Sequence, residues 1–359
     1  MDSEGFHVLL KPSLTKSDDD VVEKSPCGRY VRFKKILGRG AFKDAYKGFD
    51  LVNNVEIAWS QTLVDDVTAL TSQENQEKLF SEAVLLQSSN HRNIMKCYSF
   101  WLDYDNKVLN MITESFPSGS VRQYTKKLGR GIDVETIKNW GRQILQGLLY
   151  LHTQNPCIVH RNLKCDNIFI DVGKSEVKIG DFGFATAMEH SPLKDPVGTP
   201  KFMAPEYYDE EYNELVDIYA FGMCLMEMAT CEYPYSECTN GQIFKKVYSG
   251  KKPVALGKVK DVDLKEIIEK CLLPASLRPS AMELLNDPFF SSGIPVETDS
   301  SLMTEPMDKH SQDEYFRAES CRMDDVILAV ISASFKSVLD ANCSKLQRAF
   351  LSLQWATSL

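Results

Sequence analysis

His160-Arg161-Asn162-Leu163-Lys164-Cys165-Asp166-Asn167 is the stretch on which the reading of this 359-residue chain turns. Asp181-Phe182-Gly183 begins fourteen residues after Asn167, and Ala204-Pro205-Glu206 comes later in the chain. Far upstream, Gly38-Arg39-Gly40-Ala41-Phe42-Lys43 lies between two strand-like runs, where glycine lets the backbone approach a phosphate without side-chain obstruction. That turn alone would be an ordinary hairpin. Four such segments in this order carry far more weight than any one of them.

Around these segments the composition is that of a folded globular protein: 43% hydrophobic, 25% charged. At roughly 150 residues per domain the length predicts about two domains. Forty-one Lys and Arg against fifty Asp and Glu leave a net charge of −9, which disfavours a general nucleic-acid binder. The apolar runs from Phe6 to Leu10 and from Val326 to Ile331 fall far short of the ~20 residues that span a bilayer, so no membrane segment is predicted. Acidic Asp2 and Glu4 ahead of the first run argue against a secretory signal. Ten scattered cysteines without any C-x-x-C suggest neither a disulfide framework nor a zinc site, and fit a reducing cytoplasmic or nuclear compartment.

Residues 1–28 are polar and without sustained period, and read as a mobile leader. Short alternating runs from Tyr30 to Gln61, punctuated by Gly38-Arg39-Gly40 and Asn53-Asn54, predict an antiparallel sheet. A helix follows over Gln73 to Ser88, then strands over Ile94 to Asp103 and Val108 to Glu114. From Val134 the pattern turns helical. Ile137, Ile144, Leu148 and Leu151 share one face of a helix ending at His152, while Tyr219 to Thr230 is apolar on nearly every side and should be a buried axis. The class is α+β: a small sheet-rich part and a larger helical part joined near Phe116 to Ser120, with the site expected in the cleft between them. Residues 291–314 read as a linker. Residues 315–359 form an extension whose periodicity fits a strand or a helix, and which would dock on the domain, self-associate or await a partner.

The four segments resemble the eukaryotic protein kinase signature: a glycine-rich loop, H-R-D-L-x-x-x-N, D-F-G and A-P-E. Within that superfamily, Lys43 replaces the third loop glycine and Ile57-Ala58-Trp59-Ser60 puts serine where V-A-I-K has lysine. This pairing, with Val197 to Glu206, Tyr212 to Gly222 and Tyr233 to Cys238, is similar to the WNK (with-no-lysine) Ser/Thr kinases, especially their plant members. The resemblance covers about Pro26 to Phe290 and implies a bilobal kinase fold, with an N-lobe over 29–116 and a C-lobe over 117–290. Phe316 to Leu328 faintly resembles the small docking-type domain that follows many WNK catalytic domains.

The resemblance implies ATP and Mg²⁺ as ligands and a protein substrate or regulatory protein as partner. Lys43 shares strand parity with Ala45, which roofs the adenine in kinases, so it points into the same cleft about 7 Å nearer the phosphates. Glu82 stands where the family pairs a carboxylate with the catalytic lysine, Ala58 belongs to the same pocket, and Lys47 reads as a solvated lysine. Thr113-Glu114-Ser115-Phe116 would be the hinge that meets the adenine edge, with Thr113 as gatekeeper. Asn167 and Asp181 offer hard oxygen ligands for Mg²⁺, and Lys164 would steady the transferring phosphate. Glu206, Arg278 and Asp217 are read as architecture.

The decisive departure is Asn162, in the place of the aspartate that accepts the substrate hydroxyl's proton. Its amide cannot take that proton, although its oxygen could accept a hydrogen bond and orient the hydroxyl. Losing a general base costs about 10²- to 10⁴-fold, which against ~1–100 s⁻¹ for kinases leaves ~10⁻⁴ to 1 s⁻¹. Two readings follow: a weak phosphotransferase, or a nucleotide-binding pseudokinase acting as scaffold or allosteric regulator. The D-L-G-L leucines of the WNK halide site are replaced by Phe182 and Phe184, and the activation segment carries Ser191-Pro192 and Asp195.

Overall fold

The computed structural model describes residues 20–40, 43–64, 73–188, 193, 196–208 and 211–291. One compact unit comprises Met1–Asp65 with Phe80–Val296, and a second Asp66–Leu79 with Glu297–Leu359. Every described element except the opening turns of one helix lies in the first. The linker and extension read at 292–359 lie outside the described residues, as do Ser191, Pro192 and Asp195.

The N-lobe is a six-stranded antiparallel sheet of β1 (Val21–Lys24), β2 (Tyr30–Arg39), β3 (Lys43–Asp50), β4 (Val55–Leu63), β5 (Cys97–Asp103) and β6 (Val108–Glu114), in the order β1-β2-β3-β4-β6-β5. Period-two alternation sends Ile57 and Trp59 to one face, where they are buried with Tyr30 and Ile112, and sends Ala58 and Ser60 to the other. The β3–β4 turn ends on Asn54 at φ 56°, the left-handed conformation asparagine tolerates. Helix α1 (Gln73–Ser88) has the predicted bounds and buries Ala83 and Leu86.

Two expectations about this lobe are corrected. Strand β1 falls inside the stretch read as a leader; it pairs with Val31 to Phe33, and its two valines are too short a run for periodicity to register. Strand β5 starts at Cys97 rather than Ile94, because Ile94 and Met95 leave the sheet to bond Ile179 in the C-lobe.

The C-lobe carries α2 (Val121–Leu128), α3 (Val134–His152), α4 (Leu215–Thr230), α5 (Asn240–Tyr248), α6 (Val262–Cys271) and the short α7 (Ala281–Leu285) and α8 (Pro288–Ser291). A capping box between Ser120 and Gln123 starts α2, and Asp133 caps α3 by accepting from the Thr136 N–H. Helix α4 begins one turn before the predicted apolar run and is buried from Val216 to Met228. At roughly 1.5–3 kcal/mol for each large apolar side chain fully buried, this axis anchors the lobe. Two hairpin-sized sheets, β7 (Ile158–Val159) with β10 (Thr186–Ala187) and β8 (Ile168–Asp171) with β9 (Glu176–Ile179), hold the loops that face the N-lobe.

Candidate active site

The cleft face of the sheet explains how a lysine changes strands. In register, Ala45 opposes Ser60 and Lys43 opposes Thr62, so Lys43 is the diagonal neighbour of Ser60 on the same face, a separation a long side chain spans. Gly40 donates its N–H to the Lys43 carbonyl at 2.8 Å, and a Cβ on Gly40 would stand only 3.0 Å from that oxygen. Gly38 lies opposite Ala45 with open space above it. The Lys43 ammonium is 2.7 Å from both carboxylate oxygens of Glu82 and 4.0 Å from Asp181 Oδ1. Burial alone would lower the Lys43 pKa, but the two carboxylates outweigh it and hold it above the usual lysine value. Lys47 is not a free solvated lysine. It pairs with Glu56 at 2.8 Å near the far end of the strand.

The opposite wall is the 160–167 loop. Asp217, buried at the start of α4, accepts the backbone N–H groups of His160 and Arg161 at 2.8 and 2.9 Å and contacts His152 Nε2 at 3.0 Å. Burial pushes its pKa up, but the histidines and N–H donors win and hold it below the ordinary aspartate value. Phe182 is buried edge-on against His160, whose Nε2 lies 3.1 Å from the Gly180 carbonyl. Asp181 itself has φ 59°, which turns its carboxylate toward Lys43.

Within this loop the polar groups are linked in one direction. Asn167 donates its amide to the Asn162 carbonyl at 2.9 Å, Lys164 donates to Thr199 Oγ1 at 3.1 Å, and Thr199 donates to Asn162 Oδ1 at 2.9 Å. Thr199 gets there because Gly198 takes φ 124° and passes so close to the loop that a Cβ would be 2.5 Å from the Arg161 carbonyl. Thr199 takes one of the two acceptor positions of the Asn162 oxygen expected to orient a substrate hydroxyl, and among the described residues no acceptor takes the Asn162 Nδ2 donor.

The hinge is where β6 ends. Thr113 is buried opposite Ala58. Glu114 uses its side chain on Lys178 at 2.8 Å and on the Lys96 N–H at 2.7 Å, and donates its own N–H to the Lys96 carbonyl at 3.1 Å. Ser115 and Phe116 follow. The Phe116 carbonyl accepts from Gly119, while among the described residues nothing takes the Phe116 N–H.

The protein kinase domain family matches residues 31–290 of this chain. The chain belongs to the protein kinase family. Serine/threonine-protein kinase WNK8 of Arabidopsis thaliana is 56% identical over 273 residues, covering 76% of this chain and 48% of that protein. The probable serine/threonine-protein kinase WNK10 is 55% identical, covering 75% and 51%, and the probable kinase WNK4 is 51% identical, covering 76% and 48%, both from the same plant. The chain thus spans about half the length of these curated relatives. A lysine on β3, diagonal to a serine on β4, is the WNK arrangement, and the kinase domain is of the WNK type.

In this kinase domain the donor set suits Mg²⁺. Because Asn167 spends its NH₂ on the Asn162 carbonyl, its Oδ1 is the atom left for a ligand, and with the Asp181 carboxylate it offers two hard oxygens to an ion that otherwise keeps waters and phosphates. Such an ion would neutralise phosphate charge beside Lys43. The kinase's architectural pair is as expected: Arg278 is buried on Glu206 and also bonds the Leu215 and Leu273 carbonyls. Sequence reasoning missed the role of Thr199, and it missed Arg122, which reaches Glu227 and lies 3.4 Å from Asp166. Neither has a local signal. Their partners lie 37 and 105 residues away.

Proposed function

We propose that this WNK-type domain binds Mg²⁺ and ATP and transfers the terminal phosphate to serine or threonine of a protein substrate, slowly. The observation that carries it is the Lys43–Glu82–Asp181 cluster, a cation held between two carboxylates on the phosphate side of the cleft. Phosphoryl transfer depends mainly on positioning and electrostatics through a loose transition state, and those parts are present. Lys43 would meet the phosphates, Asn167 and Asp181 would hold the metal, the Glu114 carbonyl and Phe116 N–H would meet the adenine edge, and Lys164 would lie along the transferring group.

A second reading, a nucleotide-binding scaffold or allosteric regulator, is favoured by Asn162 itself, whose amide cannot take the substrate proton and whose oxygen already accepts the Thr199 hydroxyl. The two readings separate on one assay. Full-length protein with Mg·ATP and a Ser/Thr peptide is compared with its Asn162→Asp variant. Measurable turnover that rises in the variant supports the slow enzyme, and nucleotide binding without turnover supports the scaffold. The working compartment is proposed to be reducing, cytoplasmic or nuclear, and residues 315–359 are proposed to dock on the domain, self-associate or await a partner.

A further inference from the structure

A protein kinase that keeps aspartate at position 162 has a negative charge facing the phosphorylated side chain it has just made. Here that position is a neutral amide, 5% exposed, whose Oδ1 is turned to the Thr199 hydroxyl. The direction of the network follows from proton count. The Lys164 ammonium can only donate, so Thr199 Oγ1 accepts from it and spends its single hydrogen on Asn162 Oδ1. The Asn162 Nδ2 hydrogens are therefore left over. No acceptor among the described residues takes them. Lys164 has no carboxylate partner among the described residues. Two carboxylates close to this loop in sequence already face cations: Asp181 has Lys43 at 4.0 Å and Asp166 has Arg122 at 3.4 Å.

We propose that Asn162, Lys164 and Thr199 form a site that retains a phosphorylated serine or threonine side chain of a protein. The Nδ2 group and the ammonium are the donors, and Thr199 is the positioning residue that fixes the amide. A phosphate ester carries about −1.5 to −2 charges and three strong acceptor oxygens. An amide donor and an unneutralised lysine suit it as charge-assisted partners, where a carboxylate at 162 would repel it. The protein thereby holds a phosphorylated partner, made slowly by itself or supplied by another kinase. This rests on the reading of the cleft as a Ser/Thr kinase peptide site.

The test uses the full chain and two fluorescein-labelled degenerate peptide pools, one centred on phosphoserine and phosphothreonine and one on the unmodified residues, followed by anisotropy. The wild type is expected to bind the phosphorylated pool at least tenfold more tightly than its twin. Asn162→Asp should lose at least tenfold of that affinity. Thr199→Val should weaken it severalfold, and Thr199→Ser, which keeps the hydroxyl, should retain it. Should Asn162→Asp unfold, Lys164→Ala serves in its place and is expected to lose at least fivefold. Equal affinity for both pools in the wild type, or a preference untouched by these variants, overturns the proposal. If Mg·ATP binding is intact in that case, only retention is lost; if neither Mg·ATP nor either pool binds, the kinase reading falls with it.

Discussion

The Lys43 ammonium sits 2.7 Å from both carboxylate oxygens of Glu82, although the two residues are 39 apart in sequence and Ser60 occupies the strand position that kinases give to lysine. The pair forms because β3 and β4 are in a register that makes positions 43 and 60 diagonal neighbours on the cleft face. Either position can therefore deliver an amine to the same spot.

Lys43→Met should weaken Mg·ATP binding at least tenfold by titration calorimetry. It also leaves Glu82, only 15% exposed, without its cation, at a stability cost of about 1–3 kcal/mol. Adding Ser60→Lys in that background should recover part of the affinity. An unchanged dissociation constant in the single variant would remove Lys43 from the phosphate site.

Asn162→Asp should raise turnover by about 10²- to 10⁴-fold, with a small change in KM. The aspartate can accept the Thr199 hydroxyl with one oxygen and the substrate proton with the other. A wild type already as fast as the variant would show that no base is missing.

Arg278→Ala should destabilise the domain by about 3–5 kcal/mol in urea unfolding. The guanidinium is fully buried and serves Glu206 and two backbone carbonyls, so truncation strands a carboxylate and two acceptors at once. A loss under 1 kcal/mol would mean that water reaches the pair.

Glu227 supplies a pH signature. Burial raises its pKa to about 7, against the pull of Arg122. The folded protein therefore keeps a proton that the unfolded chain releases near pH 4.5. The contribution to stability is complete below pH 4.5, falls as pH rises to about 7 and is flat beyond. The stability difference between wild type and Glu227→Gln should shift by about 3 kcal/mol from pH 4.5 to 7.5. A pH-independent difference would place the carboxylate at an ordinary pKa.

Much of the fold was legible because its signals are local. Helix α1 and helix α3 have the bounds that apolar spacing predicts, and strand β6 ends where Pro117-Ser118-Gly119 breaks it. Strand β1 and the early departure of Ile94 were not legible, since both are decided by distant partners: Val31 to Phe33 for the one and Ile179 for the other. In the site, the identities of Lys43, Glu82, Asn167 and Asp181 could be read from the order of the motifs. Their distances could not.

By itself the amino-acid sequence determined the kinase architecture, the move of the amine to residue 43 and the amide at residue 162, because these are matters of which residue type stands at which step of a repeating backbone. Only the tertiary structure decided which end of that amide is free. That depends on a threonine hydroxyl brought in from 37 residues away by a glycine at φ 124°, and a hydrogen bond's direction is set by the three-dimensional company of its donors, which no pattern along the chain encodes.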